Sequence, residues 1–382
     1  AAMVTTISQN ESSLTKRELR GVEAARELIR IAGYPTPKEA IHLVEDGNVM
    51  GLNVTAMDVR KAFEVDSVHG ITPAMSKGKG VNRRVHRLQT DDDLKMGVVK
   101  QQLYSDVMHC DDRKFLVSVA EPLHVTMSTP IERETVHCLG TALQEHIDTL
   151  REKGFNTVRV HCDPQRALEA LSGRIPGTEI DTQGAGDHLS IVDNKIRRIK
   201  ELMRCVRSDL PWPMPPSLIP ELVAYAVSRL NLRRTTAAMN QVAPRVALTG
   251  RKVRAARELG LAFGDYCEVL DPKVVGVAEK SRRTSEERTE SCIALHPFSN
   301  EVGSWKFLNL KTNSVVRRSV WTKQFTSPVV IARMTELAQS PAPQPTVPTQ
   351  PVETDGDTGH EDPVTTEEIT EGAETVADTT DH

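Results

Sequence analysis

Between residues 15 and 68 apolar positions recur at helical spacing in three short blocks, each opened by the same local signal. Thr15-x-x-Glu18, Thr36-Pro37-x-Glu39 and Thr55-x-x-Asp58 each set a hydroxyl at the N-cap and a carboxylate in the first turn. Leu19, Val22, Ile29, Ile41 and Val44 supply the apolar faces. After a leader over 1–14, the pattern therefore predicts a small helical module over 15–70. Residues 71–97 are charged and glycine-containing (SKGKGVNRRVHR, then TDDD) and read as a linker.

From residue 98 the period changes. Leu103–Met108, Lys114–Ala120 and Leu123–Ser128 read as strands joined by short polar turns. Thr129-Pro130-Ile131-Glu132 has the form of a capping box with proline at the first helical position, so a helix is expected to start there. Val136, Leu139, Leu143, Ile147 and Leu150 keep helical spacing up to Gly154. Val158–Cys162 predicts a strand, Pro164–Leu171 a short helix and Glu179–Thr182 a short strand. Ile191–Val206 predicts a helix with a basic face, and Ser217–Leu232 an apolar helix beyond the prolines at 211–216. Three meandering strands followed by alternating helices and strands describe an α/β protein, with a mixed sheet covered by helices. That is the element order of a ribonuclease H-like fold, assigned to residues 98–235.

A connector over 236–258 leads to a second strand-rich region, 259–325. Phe263–Val269, Cys292–His296, Trp305–Leu310 and Val315–Trp321 read as its strands, with Lys311–Ser314 as a hairpin turn and 279–290 as a solvated loop. A small β-barrel-like module is expected. Residues 326–382 are expected to form a disordered Pro/Thr-rich acidic tail, too poor in large apolar side chains to offset its ordering entropy.

Charge changes the picture along the chain. Of 382 residues, 48 are Lys or Arg and 52 Asp or Glu. Residues 338–382 hold 11 acids and no Lys or Arg, so the remaining 337 residues carry 48 cations against 41 acids. A basic body points towards nucleic acid. No stretch approaches the roughly 18 apolar residues of a membrane span, and no membrane partner is expected. The six cysteines stand 24 or more residues apart, without a CxxC pair, which argues against a zinc knuckle or a disulfide framework and for an intracellular compartment. The opening Ala1-Ala2-Met3 suggests a piece cut from a longer chain.

Three aspartates sit where this fold places metal ligands. Asp106 lies in the first strand and Asp163 ends the fourth. Asp193 lies near the start of the basic helix, after the loop Gln183-Gly184-Ala185-Gly186-Asp187-His188. Two Mg²⁺ (or Mn²⁺) ions about 3.5–4 Å apart need carboxylates from several directions, and would activate an attacking hydroxyl and neutralise the leaving oxygen at a phosphodiester. Aspartates also close many strands and cap many helices, so spacing alone leaves both readings open. His161 and Cys162 read as strand residues. Lys195, Arg197, Lys200 and Arg204 are candidate DNA-binding residues. Arg197, Lys200 and Arg204 follow Asp193 by 4, 7 and 11 positions, on one helical face, where they suit phosphates or simply a solvated surface.

From Lys16 to Thr322 the chain resembles the integrase region of a copia-type (LTR) retrotransposon Pol polyprotein. The resemblance is carried by Ala32-Gly33-Tyr34-Pro35, Gly51-Leu52, Leu103-Tyr104-Ser105-Asp106-Val107-Met108 and Val192-Asp193-Asn194-Lys195-Ile196-Arg197. Thr249-Gly250-Arg251-Lys252, Phe263-Gly264-Asp265-Tyr266 and Lys306-Phe307-Leu308 through Trp321-Thr322 follow in the same order. The resemblance implies a pre-integrase helical module, a catalytic core and a C-terminal barrel. It implies an Asp106, Asp163, Asp193 triad holding Mg²⁺, with Asp193 standing where the family has Glu. Glu201, eight residues on, is a weaker substitute. The positions of the family's two His and two Cys zinc ligands correspond to Ile29, Tyr34, Ala62 and Val65, so no zinc is expected and an apolar core must hold the module.

The function implied is metal-dependent polynucleotidyl transfer that inserts element DNA ends into target DNA. Double-stranded DNA would be the partner, a homo-multimer the working form and the nucleus the place of action. The alternatives are a catalytically inactive, integrase-derived DNA-binding or assembly protein, and a metal-dependent nuclease on the same fold.

Overall fold

The computed structural model describes residues 11–66, 100–162, 175, 177–182, 190–234, 242–270, 288–298 and 303–339. The leader to residue 10, the linker 71–97, the short helix expected over 164–171 and the glycine-containing loop 183–188 lie outside the described residues.

The three N-terminal helices form where their caps predict: α1 (Lys16–Ile31), α2 (Pro37–Glu45) and α3 (Ala56–Val65), with β1 (Val49–Met50) between the last two. In each helix the threonine oxygen accepts from the backbone N–H three residues on. The carboxylate there accepts from the threonine's own N–H. Two backbone donors that a helix start leaves open are thereby satisfied, worth roughly 1 kcal/mol per cap. Val22, Ala25, Ile29, Ala40, Val59 and Ala62 form the module's core. Ile29, Tyr34, Ala62 and Val65, none of which can ligate zinc, are all buried.

The central sheet comprises β2 (Lys100–Cys110), β3 (Arg113–Glu121), β4 (Val125–Ile131), β5 (Asn156–Cys162) and β6 (Glu179–Thr182), in the order β4-β3-β2-β5-β6. β4, β3 and β2 run antiparallel, whereas β2, β5 and β6 run parallel. This order and direction make the core ribonuclease H-like. Leu103 and Val107 of β2 pack under α4 (Val136–Glu152), whereas Tyr104 and Met108 pack under α5 (Ser190–Asp209) and α6 (Ile219–Leu230). Both faces of β2 and β3 are thereby buried.

The start of α4 departs from the sequence pattern. Thr129-Pro130-Ile131 does not cap a helix. It completes β4, with Thr129 opposite Leu116 and Ile131 opposite Lys114. Proline is tolerated there because β4 is an edge strand. The cap is Thr135, whose side chain accepts from the Cys138 N–H at 3.3 Å.

The connector holds α7 (Pro244–Thr249), β7 (Val253–Arg254) and α8 (Ala255–Glu258), and β7 pairs in parallel with the distant β1. Beyond it β8 (Tyr266–Leu270), β9 (Thr289–Pro297), β10 (Trp305–Asn309), β11 (Val315–Arg318) and β12 (Trp321–Lys323) make a second sheet, in the order β11-β10-β9-β8-β12. The expected strand 315–321 is thus two strands, and residues 289–290 of the expected loop belong to β9. Only Ser319 and Val320 separate the two outer strands, so the sheet curls into a small barrel around Cys267, Val269, Cys292, Trp305 and Phe307.

Module, core and barrel pack together within one unit spanning Ala1–Ala342. Tyr225 Oη donates to Ile31 O at 2.8 Å, Arg233 donates to Ala32 O at 3.0 Å, and Arg30 reaches Asp265 at 2.9 Å. Gly264 (φ +92°) brings the barrel entry so close that a Cβ there would sit 2.3 Å from Leu210. The residues expected to begin a disordered tail instead form α9 (Pro328–Gln339), whose Val330 and Met334 are buried in the main core. Those two side chains anchor this stretch to the core.

Candidate active site

β2 is the central strand, and side chains alternate along it. Asp106 therefore shares the face of Tyr104 and Met108, the face covered by α5 and α6, and its own side chain is half-buried. Its Oδ1 accepts from the Val107 N–H at 2.7 Å, which orients the carboxylate. On the neighbouring β5 the parallel register ends with Ser105 opposite Cys162. Those are the residues immediately before Asp106 and Asp163. Asp163 itself lies outside the described residues.

Asp193 is exposed in the first turn of α5, where a carboxylate also complements the helix dipole. Among the described residues no group of three or more His, Cys, Asp or Glu side chains is gathered closely enough to hold a metal ion.

Along α5, Val192, Ile199, Leu202, Met203 and Val206 face the core, whereas Asp193, Arg197 and Arg204 are exposed and Lys200 is half-buried. Arg197 also approaches Glu201 at 3.9 Å, and Glu201 is buried. Lys195 departs from the expected DNA-binding stripe. It follows Val192 by three and precedes Ile199 by four, so helical spacing turns it inwards, and it is only 9 % exposed. Burial pushes its pKa down to about 8, against the opposing pull of Glu121. Arg198 is engaged with Glu39 of α2, so this side of α5 docks the helical module. Arg207 pairs with Asp111 in the turn after β2.

A polar row beside Asp106 escaped the sequence reading. His161 of β5 stacks on Tyr104 at 4.7 Å, lies 3.2 Å from the Gln102 side-chain oxygen and 3.2 Å from Asp181 of β6. Burial lowers the His161 pKa, while Asp181 works against the shift. The available signal was the alternation Gln102, Tyr104, Asp106, which sets all three on one face. Cys162 points the other way, fully buried under α4.

No protein-family model matches the sequence, and no curated relative matches it either. Solved structures similar in fold include the catalytic core domain of BIV integrase, 16% identical over 37% of this chain and 90% of that one (TM-score 0.29). The HTLV-2 integrase catalytic core domain in complex with magnesium, in its trimeric form, is 18% identical over 34% of this chain and 84% of that one (TM-score 0.27). A chain of the simian T-cell lymphotropic virus intasome in complex with PP2A regulatory subunit B56 gamma is 11% identical over 76% of this chain and 99% of that one (TM-score 0.35).

Proposed function

We propose that this protein is a retrotransposon integrase, a polynucleotidyl transferase that joins element DNA 3′ ends to target DNA. One observation carries the reading. Asp106 lies on the central strand, on the face covered by the helix that bears Asp193 and the basic stripe Arg197, Lys200 and Arg204. The adjoining strand ends in register one residue short of both Asp106 and Asp163.

Asp106, Asp163 and Asp193 would hold Mg²⁺ or Mn²⁺, because an all-carboxylate donor set suits hard cations. When bound, the ions would polarise the scissile phosphodiester and stabilise the leaving oxygen. The protein's own side chains do the rest. Arg197, Lys200 and Arg204 neutralise DNA phosphates and set the register of the duplex beside the carboxylates. The Val107 N–H fixes Asp106, and Tyr104 stacked on His161 walls the same face. No covalent enzyme intermediate is needed, since the DNA 3′ hydroxyl is the nucleophile. A homo-multimer acting in the nucleus follows from the need to hold two element ends together on chromosomal DNA.

The test is strand transfer with a labelled element-end duplex and a target plasmid, in Mg²⁺ and in Mn²⁺. Joined product that disappears in Asp106→Asn and Asp163→Asn is the expected result. Product from Asp193→Glu but not from the parent would mean an intact scaffold whose third ligand is too short. DNA binding without joining in either protein would overturn the enzymatic reading in favour of a DNA-binding or assembly protein. Cleavage without joining would assign a nuclease.

A further inference from the structure

The chain contains a second basic surface, built from residues that the transfer chemistry does not use. A cleft of about 660 Å³ is lined by Lys153, Arg245, Arg251, Lys252, Arg254 and Arg257. Among the described residues that line it, Glu258 is the one carboxylate and is paired with Arg245 at 3.3 Å, so those residues carry an excess of five positive charges. We propose that this cleft seats the phosphodiester backbone of a nucleic acid, as a sequence-independent contact separate from the Asp106 face.

Tertiary structure assembles the cleft from four parts of the chain. Lys153 ends α4, which covers the opposite face of the central sheet from α5. The pairing of β1 with β7 sets Met50 of the helical module in register with Arg254, and strand alternation buries Val253 while turning Arg254 outwards. The remaining wall is the barrel entry. Gly303 (φ +76°) lets Arg257 lie against its bare backbone, where a Cβ would come within 2.8 Å of that side chain. Trp305 Nε1 donates to Arg257 O at 2.7 Å and holds the two walls together.

Exposure chooses between ligand chemistries. A compact polyphosphate bound tightly calls for desolvated donors converging on one point. Here Lys153, Arg251, Lys252, Arg254 and Arg257 are all exposed, and they are distributed over the C-cap of α4, the turn between α7 and β7, β7 itself and α8. Cations arranged so bind an extended polyanion, largely through release of its counterions. The cleft is too small for a duplex cross-section, so one strand's backbone would occupy it while the duplex lies outside. The assignment shares with the proposed function only its partner.

The test is fluorescence anisotropy of the full chain with a short labelled duplex of arbitrary sequence, titrated with salt. Each phosphate contact contributes about 0.9 to the slope of log affinity against log salt, so Arg251→Gln/Lys252→Gln/Arg254→Gln should flatten the slope by about 2.7. Between 50 and 200 mM salt the parent would then lose about 40-fold more affinity than the variant. Lys153→Gln, at an exposed helix end, should remove about 0.9 and guards against a folding defect in the triple variant. Unchanged slopes would overturn the proposal. So would loss of inositol hexakisphosphate binding with duplex binding intact, which would assign the cleft to a compact anion. An Arg197→Gln/Arg204→Gln variant measured alongside separates the two surfaces. If the cleft variants flatten the slope while the parent joins no DNA, the transferase reading fails and this one stands.

Discussion

His146 offers a test of how the central sheet is held beneath Asp106. It lies on α4, 3 % exposed, with Nδ1 2.8 Å from Ser118 Oγ and Nε2 3.2 Å from Thr129 Oγ1. Ser118 Oγ in turn lies 2.8 Å from Ser105 Oγ, on the residue preceding Asp106. Burial pushes the His146 pKa down to about 4, from about 6.5 for a free imidazole. Between those values the unfolded chain binds a proton that the folded chain refuses. The stability contributed is therefore complete above about pH 6.5, falls as the pH drops towards 4, and then levels off. The difference at pH 5 amounts to about 2 kcal/mol, against about 0.2 kcal/mol at pH 7. The perturbation is His146→Gln, which removes the titration and keeps a polar side chain of similar reach. Urea unfolding of parent and variant at the two pH values isolates the term. The variant is expected to be less stable at neutral pH, and the gap between the two proteins should close by about 2 kcal/mol on acidification. A gap that stays constant would mean that His146 is not held neutral by burial, and the argument would fail.

Two further perturbations probe other parts of the fold. Gly264→Ala puts a Cβ into the Leu210 side chain at a φ of +92°, and should cost about 1–3 kcal/mol in thermal unfolding. Leu210→Ala in the same chain should recover the steric share but not the backbone share, and no recovery would remove the clash from the account. Cys267 and Cys292 stand opposite each other in the β8–β9 pair, fully buried, with burial pushing both thiols up to about 12. Alkylation at mildly alkaline pH, read by mass spectrometry, should label the partly exposed Cys138 in the folded protein and reach these two only after unfolding. Comparable labelling rates would contradict the packed barrel interior.

Much of this architecture is written locally. The three threonine capping boxes, the spacing Leu139, Leu143, Ile147, Leu150, and the Asn309–Ser314 turn are satisfied within a few residues of themselves. Signals of that range can be read without knowing the fold. Thr129-Pro130-Ile131-Glu132 satisfies the same local rule and still forms strand, because pairing with Lys114–Leu116 completes a ladder that a helix start there would forfeit. Lys195 and Arg197 are both basic residues of α5. One is buried and the other exposed because the helix docks by the Val192–Ile199 face, a choice made by the sheet beneath it.

Local pattern sufficed for the three capped helices of the N-terminal module, for strands β2, β3 and β5, and for setting Asp106 on a strand and Asp193 on a helix. Long-range packing set the pairing of β1 with β7, the anchoring of a helix by Val330 and Met334 where a tail was expected, and the gathering of six basic side chains around one cleft. The difference is one of range. Caps, turns and amphipathic periods are set by hydrogen bonds and side chains a few positions apart. Docking depends on which apolar and charged surfaces meet across hundreds of residues, and no local pattern records that.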